Sequence, residues 1–182
     1  KKLRKIGRID MSISNGNYMF NDCVSLVDGS IEQLPYTGKM TSAYCMFRNT
    51  RFTTIELENL SSLESADNMF SANPNLKTIH LPNIGRTSPL NNLTNTFNGD
   101  SSLTKITIEG DTLPIGLKYM NGTFNGCISL TSLPPIPQDF TYDINMQYCC
   151  YNCDSLTDDT IYKVIPYRCT HTQWMYSNCD RS

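Results

Sequence analysis

Apolar positions in this chain recur as a block, not at a constant helical or strand period. The block is a methionine or threonine, an aromatic, two or three small polar residues and then a leucine. It appears at Met19-Phe20-Asn21-Asp22-Cys23-Val24-Ser25-Leu26, Met69-Phe70-Ser71-Ala72-Asn73-Pro74-Asn75-Leu76, Thr96-Phe97-Asn98-Gly99-Asp100-Ser101-Ser102-Leu103 and Thr123-Phe124-Asn125-Gly126-Cys127-Ile128-Ser129-Leu130. Degenerate copies follow around Cys150 and Tyr176, and one around Phe47 arrives a residue short. The anchors Phe20, Phe47, Phe70, Phe97, Phe124, Cys150 and Tyr176 are 27, 23, 27, 27, 26 and 26 residues apart. A repeat of this period is the signature of stacked structural units.

Within each unit a turn of Asn, Asp and Gly leads into an alternating run such as Leu76-Lys77-Thr78-Ile79-His80-Leu81 or Leu103-Thr104-Lys105-Ile106-Thr107-Ile108. Apolar residues at every second position suit a half-buried strand. Pro82, Pro114 and Pro134 end these runs, because proline has no amide hydrogen for a ladder. The pattern predicts strands centred near Ile55, Ile79, Ile106 and Leu133, with further strands near Gly29 and Asp159. The anchor segments, for example Ser65-Ala66-Asp67-Asn68-Met69-Phe70, have the length of one or two helical turns, too short to be stable alone. Stacking of Phe70 on Phe97 on Phe124, and of Leu76 on Leu103 on Leu130, would bury them.

On these residues the chain resembles the BspA-like branch of the leucine-rich repeats, whose units carry a helix-borne Phe, a Gly-Cys or equivalent corner and a Leu-x-x-Ile strand. The closest matches are Thr123-Phe124-Asn125-Gly126-Cys127-Ile128-Ser129-Leu130-Thr131-Ser132-Leu133-Pro134 and Met19 to Leu26, and the resemblance runs from Asn15 to the end. The corner residue departs from the pattern at Thr50, Asn73 and Asp100, and Cys150 stands at an aromatic anchor. Period and resemblance together predict an α/β repeat solenoid: a right-handed stack of six to seven repeats with one parallel sheet and short helices or turns. Residues 1–14 are expected to form a lead-in or cap, and residues 15–182 the leucine-rich-repeat solenoid. The chain starts without methionine and stops six residues past Tyr176, so it reads as a fragment of a longer protein.

Composition changes this picture little. With 182 residues, 39% hydrophobic, and a formal charge of -2, nothing asks for a nucleic-acid partner or for membrane insertion of this segment. No apolar run approaches the roughly 18 to 20 residues that span a bilayer, and the basic start Lys1-Lys2-Leu3-Arg4-Lys5 is not followed by the apolar stretch of a secretory signal.

The eight cysteines allow three readings. Cys23, Cys127, Cys153 and Cys179 fall three residues after an anchor, as small buried corner residues would. Cys150-Tyr151-Asn152-Cys153 is a Cys-x-x-Cys, but a zinc site needs about four ligands and no second such motif is present. Corner cysteines of successive repeats would lie roughly 5 Å apart, within disulfide reach, so Cys127 with Cys153 or Cys153 with Cys179 could pair. An unpaired stack is the favoured reading, and no cofactor or metal is expected. His80 has no nucleophile predictably beside it, and the chain is read as a non-enzyme. Trp174 is read as packing. Three Asn-x-Ser/Thr sequons, at Asn59, Asn92 and Asn121, are read as turn asparagines.

Alternation places Ile79, Leu81, Ile106 and Ile108 inward and Thr78, His80, Lys105 and Thr107 outward. Carried to neighbouring repeats, the register adds Thr54, Glu56 and Ser132. These seven residues are the candidate ligand-binding strip on the sheet face. The resemblance implies a cell-surface or secreted adhesion module that recognises a protein or glycan on a cell or matrix surface. The alternative is a structural or receptor-binding component of a phage virion or other large assembly, bound to its other subunits.

Overall fold

Two residues flanking each anchor decide the local backbone. The computed structural model describes residues 5–157 and 166–179. At the position two before the anchor, φ is positive in all seven repeats: Tyr18, Cys45, Asn68, Asn95, Gly122, Tyr148 and Trp174. It is positive again two after the anchor, at Asp22, Asn49, Ala72, Gly99, Gly126, Asn152 and Asn178. Left-handed residues spaced this closely cannot belong to a right-handed helix. The segment becomes a run of turns instead. Amides one position from the anchor close turns, as Asn98 N donates to Asn95 O at 3.1 Å and Asn21 N to Tyr18 O at 3.2 Å. Amides at the anchor and two positions either side of it point sideways. Thus Phe47 N donates to Met69 O (2.8 Å), Phe70 N to Thr96 O (3.0 Å), Phe97 N to Thr123 O (2.9 Å) and Phe124 N to Cys149 O (2.8 Å).

The α/β repeat solenoid expected from the sequence is therefore corrected. No helix occurs among the described residues, most of the chain is turn and irregular structure, and the strands fall in three small sheets, not one. The strands are β1 (Ile6–Arg8), β2 (Ile31–Gln33), β3 (Thr54–Ile55), β4 (Thr78–Leu81), β5 (Lys105–Ile108), β6 (Ile144–Asn145) and β7 (Cys169–His171). All pairings are parallel: β1 with β2, β3 with β4 with β5, and β6 with β7. Segment 1–14, read as a lead-in, supplies β1.

The sheet breaks have local causes. Expected strands at Ile55, Ile79 and Ile106 coincide with β3, β4 and β5. At Leu133 no strand forms: Pro134, Pro135 and Pro137 remove the donors that would continue the ladder past β5. Near Gly29 the chain instead makes a turn, closed by Ser30 N donating to Val27 O at 2.9 Å, and β2 starts only at Ile31. Gly29 has φ 73° there, which suits glycine. The strand expected near Asp159 lies outside the described residues. Isolated parallel bridges connect Asn15, Ser42, Ser65, Asn92, Tyr119 and Asn145 in succession, so neighbouring repeats stay side by side even where the sheets are interrupted.

Apolar columns run through the repeats. Phe20, Phe47, Phe70, Phe97 and Phe124 stack ring on ring, with centroids 5.2, 5.8, 5.5 and 5.9 Å apart. Leu26, Leu76, Leu103, Leu130 and Leu156 form a second, fully buried set. Beside the anchors, volume is conserved between two positions. Met46 and Met69 sit with Ala43 and Ala66, whereas Thr96 and Thr123 sit with Leu93 and Met120, and all eight are buried. A close-packed interior tolerates a long side chain only where its neighbour is short. The threonine hydroxyls are satisfied by the preceding repeat, Thr96 Oγ1 donating to Ala66 O at 2.9 Å and Thr123 Oγ1 to Leu93 O at 2.8 Å.

A polar column occupies the corner three residues after the anchor. Its side chains donate to the anchor carbonyl of the repeat before: Asn73 Nδ2 to Phe47 O (2.9 Å), Cys127 Sγ to Phe97 O (3.1 Å), Cys153 Sγ to Phe124 O (2.9 Å) and Cys179 Sγ to Cys150 O (3.0 Å). Asp100 stands in the same column, fully buried. Its Oδ1 accepts from Asn73 N at 2.8 Å and its Oδ2 has no hydrogen-bond partner. Burial pushes the Asp100 carboxyl well above the ordinary carboxylate range, against the opposing bond from Asn73 N.

Phe97 has ring partners on both sides, so Phe97→Ala should cost about 3–5 kcal/mol, whereas Lys105→Ala on the exposed face should change stability by less than about 0.5 kcal/mol; chemical denaturation of both variants measures the contrast. For Asp100 the folded-state pKa is raised. Its contribution is therefore fully present below the unfolded-state value of about 3.9 and falls by about 1.4 kcal/mol per pH unit as pH rises toward the folded-state value. Asp100→Asn should remove that slope and be more stable than the parent at pH 7. Denaturation from pH 3 to 8 checks it, and parallel pH profiles for the two proteins would contradict the assignment.

Candidate functional site

The sequence-predicted strip divides into a part the structure assembles and a part it does not. Thr54, Thr78 and Lys105 are in direct register across β3, β4 and β5, and His80 pairs with Thr107 in a second row. Thr54, Glu56, Thr78, His80 and Lys105 are exposed, while Thr107 is half-buried. His80 Nδ1 lies 3.0 Å from Thr107 Oγ1, so the rigid ladder also fixes the imidazole. Inward residues Ile55, Ile79, Leu81 and Ile106 are buried as the alternation requires, but Ile108 is only half-buried. Ser132 is exposed but belongs to no strand, and it stands outside this ladder.

One feature of the face was not anticipated from the pattern. Between β2 of the first sheet and β3 of the second lies a cleft of about 430 Å³, whose floor includes Ile31, Leu34, Phe52, Ile55 and Leu57 and whose lips carry Asp28, Glu32, Glu56 and Glu58. Arg51 N still reaches Leu26 O at 3.2 Å below it, and Thr37 Oγ1 reaches Asn59 O at 2.5 Å above it. Between these two fastenings one lip, Leu26 to Thr37, has 11 steps of chain and the other, Arg51 to Asn59, has 8. The longer lip bows away, and the strands part. The 23-residue spacing from Phe47 to Phe70 flagged irregularity in this region, although the excess length lies in the preceding repeat.

Asp28 covers the start of the exposed β3 edge. Its Oδ1 accepts from Thr53 N (2.8 Å) and Thr54 N (3.3 Å), and its Oδ2 accepts from the Thr53 hydroxyl. Partial burial works against the charged form, but the bonds from Thr53 and Thr54 and the charge of Lys77 outweigh it and hold the carboxyl below its ordinary value. Lys5 Nζ meets Glu32 at 3.4 Å. Glu56 and Glu58 meet no cation among the described residues.

The other candidate chemistry resolves into structure. All eight cysteines are free. The sulfurs of Cys127, Cys153 and Cys179 donate to backbone carbonyls, and burial pushes the thiols of Cys127 and Cys150 well up, away from the thiolate that nucleophilic or redox work requires. No group of three or more His, Cys, Asp or Glu that could hold a metal occurs among the described residues. Trp174, expected to pack, is 59% exposed, like Tyr18 at the equivalent position of the first repeat. Two of the sequon asparagines build turns: Asn59 Oδ1 accepts from Ser61 N at 2.8 Å and Asn92 Oδ1 from Thr94 N at 2.9 Å. Asn121 Oδ1 accepts from the Thr94 hydroxyl at 3.0 Å. No helix among the described residues is long and apolar enough to cross a membrane.

Comparison with protein-family models, with curated proteins and with solved structures matches none of them to this chain.

Replacing Asp28 by Ala should destabilise by about 0.5–1.5 kcal/mol, since it strips the amides of Thr53 and Thr54 of their acceptor. Because the folded-state pKa of Asp28 is lowered, its contribution is present above the unfolded-state value of about 3.9 and disappears as pH falls through the folded-state value. Parent and Asp28→Ala should accordingly differ at pH 7 and converge in acid, which denaturant titrations at several pH values measure.

Proposed function

We propose that this chain is a non-enzymatic binding module that attaches to a protein or glycan on a cell or matrix surface. The observation that carries the reading is the exposed polar face of β3, β4 and β5, where Thr54, Thr78 and Lys105 stand in one row and His80 with Thr107 in the next. Side chains fixed on a paired sheet lose little freedom on binding, which lowers the cost of association. The face also continues without interruption into the acidic cleft through Thr54 and Glu56. It therefore offers a partner both charges, Lys105 on one side and the glutamates on the other, an arrangement that favours selectivity over indiscriminate attraction.

The test separates binding from folding. His80→Ala and Lys105→Glu each project from the face and support nothing in the core. In a cell or matrix attachment assay with the intact protein, each should weaken attachment about five- to tenfold, with an unchanged circular dichroism spectrum and denaturation midpoint. Attachment by both variants equal to the parent would place the contact elsewhere.

A further inference from the structure

The cleft between β2 and β3 has properties that the flat part of the face lacks. The first sheet ends at β2 and the second begins at β3, so among the described residues no strand pairs with the two edges that border the cleft. Unpaired strand edges accept an added strand, with main-chain hydrogen bonds supplying the affinity. Asp28 satisfies the amides of Thr53 and Thr54, and Ile55 pairs with Ile79 of β4 on the far side, while Glu56 to Glu58, the chain just beyond the two-residue strand, make no backbone hydrogen bond toward the cleft among the described residues. The floor is apolar, and the cleft is fastened at both ends.

Charge narrows the occupant. Four carboxylates border the cleft. Asp28 and Glu32 already have Lys77 and Lys5 near them, whereas Glu56 and Glu58 have no cation among the described residues. Both glutamates are exposed and stand two residues apart, with Ile55 and Leu57 buried on either side of Glu56. Alternate side chains of an extended chain project to the same face roughly 6.6–6.8 Å apart. An extended segment with basic residues at every second position would therefore set its cations against Glu56 and Glu58 and its intervening apolar residues against the floor.

We propose that this cleft binds an extended basic peptide segment of a protein partner, its backbone lying between the open edges of β2 and β3 and its alternate cationic side chains meeting Glu56 and Glu58. The proposal rests on the binding-module reading and names the partner class for one part of that face.

The probe is a capped hexapeptide alternating lysine and valine, titrated into the full chain by fluorescence anisotropy. Two counterparts accompany it, one with glutamate for lysine and one N-methylated at alternate amides. The lysine peptide should bind, with affinity falling as salt is raised, and the glutamate peptide should not. N-methylation should cost at least about tenfold, because it removes the main-chain donors without changing charge. The double variant Glu56→Gln/Glu58→Gln should weaken binding about tenfold or more, while Asp154→Asn, an exposed carboxylate distant in sequence, should leave it unchanged. Circular dichroism confirms that each variant folds.

Failure of the lysine peptide to bind, equal binding of the N-methylated peptide, or parental affinity in the double glutamate variant would each overturn the proposal. If any of these occurs while the intact protein still attaches to cells or matrix and loses attachment on Lys105→Glu, the cleft assignment falls and the binding-module reading stands.

Discussion

Everything in this structure depends on sideways backbone hydrogen bonding at the anchors. A left-handed residue two before and two after each anchor turns three amides per repeat toward the neighbour, and each repeat thereby becomes the hydrogen-bonding partner of the next. Those bonds set the spacing at which Phe20, Phe47, Phe70, Phe97 and Phe124 stack. Burial of one phenylalanine contributes about 1.5–3 kcal/mol, and an aromatic pair adds about 0.5–1.5 kcal/mol beyond area. No repeat could hold its turns alone, because short segments without partners lose more conformational entropy than they recover in contacts. The column supplies the burial, and the amides supply the register.

The corner column shows how a single structural job is filled by unlike side chains. An amide nitrogen at Asn73 and thiols at Cys127, Cys153 and Cys179 perform the same donation to an anchor carbonyl one repeat earlier. Their shared property is small size with a hydrogen-bond donor, and this accounts for Cys127, Cys153 and Cys179 at the corner. Asp100 stands at the same corner, where burial favours its neutral form. The same low-polarity surroundings that would make a thiolate or carboxylate costly make the column a structural element and not a reactive one.

The cleft lies where the repeats stop matching. Regular repeats give a ladder, and β3, β4 and β5 carry outward side chains in fixed rows on it. Unequal lip lengths around Asp28 and Glu32 break the ladder and leave in one place two strand edges, an apolar floor and, in Glu56 and Glu58, carboxylates that meet no cation among the described residues. A protein normally protects such edges. Here Asp28 covers the first amides of one edge and the remainder stays available.

Period, anchors, the parallel stacking of Phe and Leu columns and the in/out alternation at Ile55, Ile79 and Ile106 were all legible from residue order, because each depends on interactions between equivalent positions of neighbouring repeats. The signal against helices was also in the residue types: Asn68, Asn95, Asn49, Asp22, Gly99 and Gly126 are residues that tolerate positive φ, yet Tyr18, Cys45, Ala72 and Trp174 adopt it without that aptitude. Tyr18, Cys45 and Ala72 are each tied to the adjacent repeat through their amides, which donate to Tyr44 O, Asp67 O and Asn98 O. Tertiary structure likewise decided that Trp174 faces outward, whereas the interruption at Leu133 follows from Pro134, Pro135 and Pro137 in the sequence itself. Of the strip, Thr54, Thr78, His80, Lys105 and Thr107 could be placed from alternation alone. The cleft could not, because it arises from a difference in length between two adjacent lips, a quantity that has no consequence until the repeats are laid side by side and fastened at both ends.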